Sequence, residues 1–160
     1  MTFPIGVTIV SIFAILWTAA GTHQLRRCWF AVFLSLSIVI SSAVICFAMR
    51  VTPKHPAVFN AFAYTVSVVF EAVLILLAAA FLVRSQRNQF LLPTISIIVG
   101  LHFFGMVWAL GSNWYWGVGA AMCLLPILTM SISPQRLWPS IIGVGCAVIL
   151  WVSAICGSLL

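Results

Sequence analysis

The chain of 160 residues is 64% hydrophobic and 5% charged, against about 25% charged in an ordinary soluble domain, which argues against a water-soluble fold and predicts an all-α integral membrane protein. Its formal net charge of +6 is scattered over short connections and not gathered on one stripe, so nucleic acid is excluded as a partner and anionic lipid headgroups are the natural counter-charge. Helix packing and backbone groups satisfied within each segment are the expected stabilising terms.

Six apolar runs approach the ~20 residues that cross ~30 Å of hydrocarbon at a rise of about 1.5 Å per residue. They lie at about 3–20, 28–49, 57–83, 90–111, 114–131 and 140–160, and predict a single transmembrane domain built as a bundle of six helices. The first run follows Met-Thr-Phe-Pro with no basic n-region and is read as an uncleaved span. The small residues Thr18 to Gly21 keep a signal peptide as the alternative, which would leave five spans. The fifth run is short, begins with glycines and contains Pro126, which predicts a kink or a re-entrant segment.

Breakers punctuate the connections: Gly21-Thr22-His23, Pro53 and Pro56, Ser85 to Gln89, Gly111-Ser112-Asn113, and Pro134 with Pro139. Loops this short force antiparallel neighbours. Arg26, Arg27, Arg84, Arg87 and Arg136 occupy the first, third and fifth loops, against Arg50 and Lys54 in the second. The bias orients the odd-numbered loops towards the cytoplasm and both termini outward, in a bacterial-type inner membrane. Trp29, Trp114, Tyr115, Trp116 and Trp138 fall at predicted span ends as interfacial anchors; the alternative for Trp114-Tyr115-Trp116, beside Gly117 and Gly119, is the floor of an outward-facing ligand site. Two three-helix halves of opposite orientation would permit an inverted-repeat transporter, although the halves share no residue pattern.

Glu71 is the only acidic residue in the chain, and it lies near the middle of the third run. An ionised group at that depth costs roughly 3 kcal/mol on insertion scales, so it calls for a function and a partner. Asn60, Tyr64, Ser67 and Glu71 stand at offsets 0, 4, 7 and 11, which at about 100° per residue return to nearly one helical face. Such a polar stripe must face the bundle or a hydrated cavity. His102 is the expected partner. Glu71 precedes Arg84 by 13 residues and His102 follows Gln89 by 13, so in an antiparallel hairpin both lie ~20 Å from the connecting loop. Desolvation and mutual pairing act in opposite senses on each group, and protonation switching near neutrality is expected of the pair.

Other small polar residues offer walls for such a site: Thr8, Ser11 and Thr18 on the first span, and Ser35, Ser42 and Cys46 on the second. Backbone bonding or close helix crossings are their plainer roles. Gly100, Gly105, Gly143 and Gly145 are read as points of close approach. The five cysteines, at 28, 46, 123, 146 and 156, form no C-x-x-C pair and no disulfide framework; they read as small apolar side chains at helix contacts.

No H-E-x-x-H, P-loop or G-x-G-x-x-G occurs, and one acidic residue cannot supply a zinc hydrolase or a carboxylate pair, so no metal, catalytic residue or cofactor is expected. A haem held between two histidines lacks a second imidazole at suitable depth, because His23 and His55 belong to loops on opposite sides. The segment Val99-Gly100-Leu101-His102-Phe103-Phe104-Gly105 resembles a V-G-L-H-F-x-P/G run of small, uncharacterised bacterial multi-spanning membrane proteins, with Gly105 in place of the more usual proline. That resemblance singles out His102 without implying a ligand.

The expected function is a transporter-like or channel-like membrane protein for a proton, a cation or a small polar solute, with Glu71, His102, Tyr64, Asn60 and Ser67 as its polar centre. Six short spans enclose little space, which admits a homodimer. Two other classes compete: a non-transporting scaffold or partner subunit locked by the pair, and an intramembrane enzyme acting on a lipid or quinone with His102 as general base.

Overall fold

The computed structural model describes residues 3–51 and 59–159. Among them the chain is all-helical, with α1 (Phe3–Thr22), α2 (Arg27–Arg50), α3 (Ala61–Arg84), α4 (Leu91–Leu110), α5 (Trp114–Ile132) and α6 (Trp138–Leu159). Two 3-10 turns, Asn88–Phe90 and Gln135–Leu137, lead into α4 and α6. Five helical segments, Arg27–Arg50, Ala61–Arg84, Asn88–Leu110, Trp114–Ile132 and Gln135–Ser158, are long and apolar enough to cross a membrane, and Gly6–Thr22 is a shorter apolar helix. Pro53, Lys54, His55 and Pro56 of the second loop lie outside the described residues, as do Met1, Thr2, Leu160 and positions 57 and 58 at the start of the third predicted span.

Local chemistry sets the helix ends. Asn60 caps α3, its side-chain oxygen accepting from the Ala63 N–H at 3.1 Å, which satisfies one of the orphan donors of a first turn. At the other end Gln86 takes a left-handed φ of 54°. Its N–H donates to the Val83 carbonyl and the Arg87 N–H donates to the Leu82 carbonyl, a Schellman closure built without glycine. Gly111, at φ 65°, closes α4 and donates to the Val107 carbonyl, where a left-handed residue favours the absence of a Cβ.

The helices form two compact units, one of α1, α2 and α6 from Pro139 onward, the other of α3, α4 and α5 with Trp138. In the first, Val7, Val44, Ala48 and Ala154 form a buried cluster against which Val10, Ile40, Ile45 and Trp151 pack. At the opposite end of α1, a Cβ on Gly143 would lie 2.5 Å from the Gly21 Cα and 2.6 Å from the Trp17 carbonyl oxygen. Only glycine permits so close a crossing of α1 and α6. Ser140 Oγ donates to the Gly21 carbonyl at 3.1 Å beside it. Deeper in the unit the Trp151 indole N–H donates to Ser41 Oγ at 3.0 Å, and Ser41 Oγ donates to the Ser11 carbonyl at 3.2 Å, which links α6, α2 and α1 in one chain of bonds.

That arrangement corrects one expectation. Ser35, Ser42 and Cys46 are exposed, whereas Ser37 and Ser41 are the buried hydroxyls of α2. The two sets lie on different faces of one helix, and an evenly apolar helix gives little indication of which face packs. On α1, Ser11 and Thr18 are buried, and Thr18 Oγ1 donates to its own backbone at Ala14, the plainer role for a hydroxyl in such a helix.

In the second unit α4 is central and packs against both α3 and α5. The helix α5 runs continuously through Pro126, which is buried within it. Proline has no N–H to donate to the carbonyl four residues earlier, that of Met122. Ser96 Oγ from α4 donates to that carbonyl at 2.9 Å. A neighbouring helix thus replaces the missing donor, which is how proline is tolerated inside an apolar helix.

Ser96→Ala is expected to lower unfolding stability in micelles by about 1–3 kcal/mol, the cost of an orphaned buried acceptor. In a Pro126→Ala background, where the residue 126 N–H again serves Met122, the same substitution should cost measurably less. An equal cost in both backgrounds would show that Ser96 does not serve the proline.

Candidate functional site

The polar centre is built by the hairpin of α3 and α4. On α3, Phe62, Leu76 and Phe81 point outward, 80%, 70% and 69% exposed, while Tyr64, Ser67 and Glu71 lie on the less exposed side. The backbone N–H of Asn60 donates to the Ala109 carbonyl at 2.8 Å, which pins the start of α3 to the end of α4. From that point the antiparallel helices run in register, and equal rise along both brings residue 67 opposite residue 102, with Glu71 one turn further along α3.

At this level Glu71 Oε2 lies 3.3 Å from His102 Nδ1. Ser67, one turn before Glu71 on the same face, places Oγ 3.0 Å from the same nitrogen and donates to the His102 backbone carbonyl at 3.3 Å. One imidazole nitrogen therefore faces two oxygen atoms of α3. The His102 and Glu71 side chains are 10% and 18% exposed, so pairing replaces most of the hydration that either would have in water. A carboxylate, an imidazole and a hydroxyl in this contact can hold, share or exchange a proton, and an imidazolium opposite a carboxylate would be neutral as a pair.

The segment from residue 99 to 105 divides its faces between two neighbours. Gly100 meets α5: a Cβ there would lie 2.6 Å from Cys123 Sγ and 3.0 Å from the Gly119 carbonyl oxygen. His102 and Gly105, three residues apart, meet α3 instead. A Cβ on Gly105 would collide with Ser67 Oγ and sit 3.2 Å from Ser67 Cβ. Gly105 is thus the recess into which Ser67 fits, and that fit keeps the hydroxyl against His102.

Two of the five expected residues stand apart from this contact. Asn60 is the cap of α3, three turns from Glu71, and its side-chain oxygen is committed to Ala63. Tyr64 packs its ring on Phe59, with centroids 5.5 Å apart. Both share the helical face of Ser67 and Glu71, but a shared face extends along the whole helix and a site occupies about one turn.

Two aromatics expected at span ends, Tyr115 and Trp116, also hold α4 to α5. Tyr115 stacks on Phe103 at 6.1 Å, and Phe103 in turn meets the His102 ring edge-on at 5.9 Å. Trp116 lies against Phe104 at 5.1 Å and Trp108 at 5.8 Å. The His102 ring is thereby backed by an aromatic neighbour of its own helix that α5 steadies. The spacing of Phe103 and Phe104 beside His102, facing Trp114-Tyr115-Trp116 across a short loop, was the available signal for this packing.

Comparison with family models, with curated proteins and with solved structures finds no match to this chain. Among the described residues no group of three or more His, Cys, Asp and Glu side chains is placed to hold a metal ion.

The recess at Gly105 makes a specific prediction. Gly105→Ala should destabilise the protein by about 1–3 kcal/mol through overpacking against Ser67. In a Ser67→Gly background, which removes the atoms that the new methyl group meets, most of that penalty should disappear in thermal unfolding. Equal penalties in the two backgrounds would contradict the Ser67 seat.

Proposed function

We propose that the chain is a multi-pass membrane protein of transporter-like or channel-like action, in which Glu71 and His102 form a binding site for a proton or a small cation. The observation that carries this reading is the 3.3 Å contact between the chain's sole acidic side chain and an imidazole, made inside a hairpin of two helices each apolar enough to cross a membrane. Ionisable groups at such depth are costly, and they are characteristic of ion and proton pathways. Protonation changes the charge of the pair and therefore the attraction between α3 and α4. It gives the hairpin two electrostatic states, the minimum that a gate requires.

The proposed setting is a bacterial-type inner membrane with the first, third and fifth loops in the cytoplasm. Within the α3–α5 unit, Arg84, Arg87 and Arg136 belong to the connections at one end, where basic residues favour the cytoplasmic side. Lipid is the proposed environment for the outward-facing side chains of α3. A homodimer is retained as the proposed route to a larger enclosed space.

A second reading, in which the pair locks a scaffold or partner subunit, draws on a different observation: the close seat of Ser67 at Gly105 makes the same hairpin a tightly fitted joint. The two readings diverge in function. Reconstituted in liposomes with an imposed proton or cation gradient, the wild-type protein should dissipate the gradient, and Glu71→Gln should reduce the rate to that of protein-free vesicles while circular dichroism stays helical. Equal rates for wild type and variant, or no flux from either, would overturn the transport reading, and loss of helical structure in the variant would favour the lock.

A further inference from the structure

The hydrogen bonds around His102 distinguish its two ring nitrogens. Ser67 has one hydroxyl proton and two polar neighbours on the same side of α4: Oγ lies 3.3 Å from the His102 carbonyl, which can only accept, and 3.0 Å from Nδ1. With the hydroxyl proton given to the carbonyl, the Ser67 lone pairs face Nδ1. Glu71 Oε2 faces the same nitrogen at 3.3 Å, and an ionised carboxylate is likewise only an acceptor. With Glu71 ionised, two acceptors directed at one nitrogen require a proton on it. With a bare Nδ1, its lone pair would face the carboxylate and one of the two Ser67 contacts would be lost.

From this we infer that Ser67 is a positioning residue that holds neutral His102 with its proton on Nδ1, leaving Nε2 as the nitrogen that gains and loses a proton. The Nδ1–H is shared between Ser67 Oγ and Glu71 Oε2 as a three-centre bond. Uptake is a simple proton transfer: hydronium gives its proton to the Nε2 lone pair, an N–H bond forms, water departs, and the imidazolium lies opposite the carboxylate. Release returns the proton to water. Nε2 makes no hydrogen bond to the described residues, so the exchange breaks no protein contact at that nitrogen. The hydrogen bond made by one ring nitrogen commonly decides the role of the other.

Use of this exchange in transport rests on the function proposed above; the tautomer itself does not. Full-length protein labelled with ¹⁵N-histidine, in lipid bilayers at a pH where the imidazole is neutral and the carboxylate ionised, gives separate nitrogen signals for the two tautomers. The His102 signals are identified by their loss in His102→Asn. Wild type should show a protonated Nδ1 and a bare Nε2. Ser67→Ala should move a major part of the signal towards the Nε2-protonated form, and Ser67→Thr, which keeps the hydroxyl, should retain the wild-type pattern. A protonated Nε2 in neutral wild type, or an unchanged pattern in Ser67→Ala, would overturn the assignment. A wild-type pattern as expected, in a protein that carries no flux, would sustain the tautomer and remove the transport reading alone.

Discussion

Glu71 lies in the middle of a 24-residue apolar helix, and the arrangement of α3 and α4 follows from its need for a polar partner. A carboxylate cannot be left unsatisfied among apolar side chains without a cost of several kcal/mol. His102 Nδ1 meets that need at 3.3 Å, and Ser67 bonds both to that nitrogen and to the carbonyl of the same residue. The contact also fixes register, because sliding α3 past α4 by one residue would move Glu71 by about 1.5 Å along the helix and rotate it by about 100°. Apolar contacts alone are far more forgiving of such a slip, so the polar pair gives this hairpin its specificity.

The rest of the α3–α5 unit supports that contact. Small residues bring the helices close enough for short side chains to bridge them: Gly105 receives Ser67, and Gly100 meets Gly119 and Cys123. Aromatic pairs between Phe103 and Tyr115 and between Phe104 and Trp116 hold the other side of α4. The bond from Ser96 to the Met122 carbonyl keeps α5 continuous through Pro126. Every described polar link between these helices involves α4, whose faces alternate between the two partners over only a few residues. Such a helix is constrained on both sides, whereas α3 is the less enclosed partner.

Much of the helical content was legible from the length of the apolar runs, because few other structures satisfy so apolar a backbone. The neighbourhood of Glu71 and His102 was legible from the equal distances of the two residues from the loop that joins their helices. The extent of the site was less so. Period counting put Asn60 and Tyr64 on the same face as Glu71, yet it does not say where the helix begins, and Asn60 proves to be the cap. The end of α3 is marked by Gln86 in a left-handed conformation, a position where sequence signals favour glycine. In α2 the buried serines are 37 and 41 and not 35 and 42, since an evenly apolar helix does not reveal its packed face. The association of α6 with α1 and α2 was also unreadable. Short loops fix sequential neighbours, but the partner of the last helix depends on a glycine contact between positions 21 and 143.

Glu71 and His102 meet as one interacting unit across α3 and α4. A double-mutant cycle on unfolding stability in micelles, using Glu71→Gln, His102→Gln and the combined variant, measures that interaction directly. A coupling of at least about 1 kcal/mol is expected, towards the upper end for polar pairs between apolar helices because both partners are largely buried. Additive effects, with the double variant losing the sum of the two single losses, would show that the residues are neighbours without being partners.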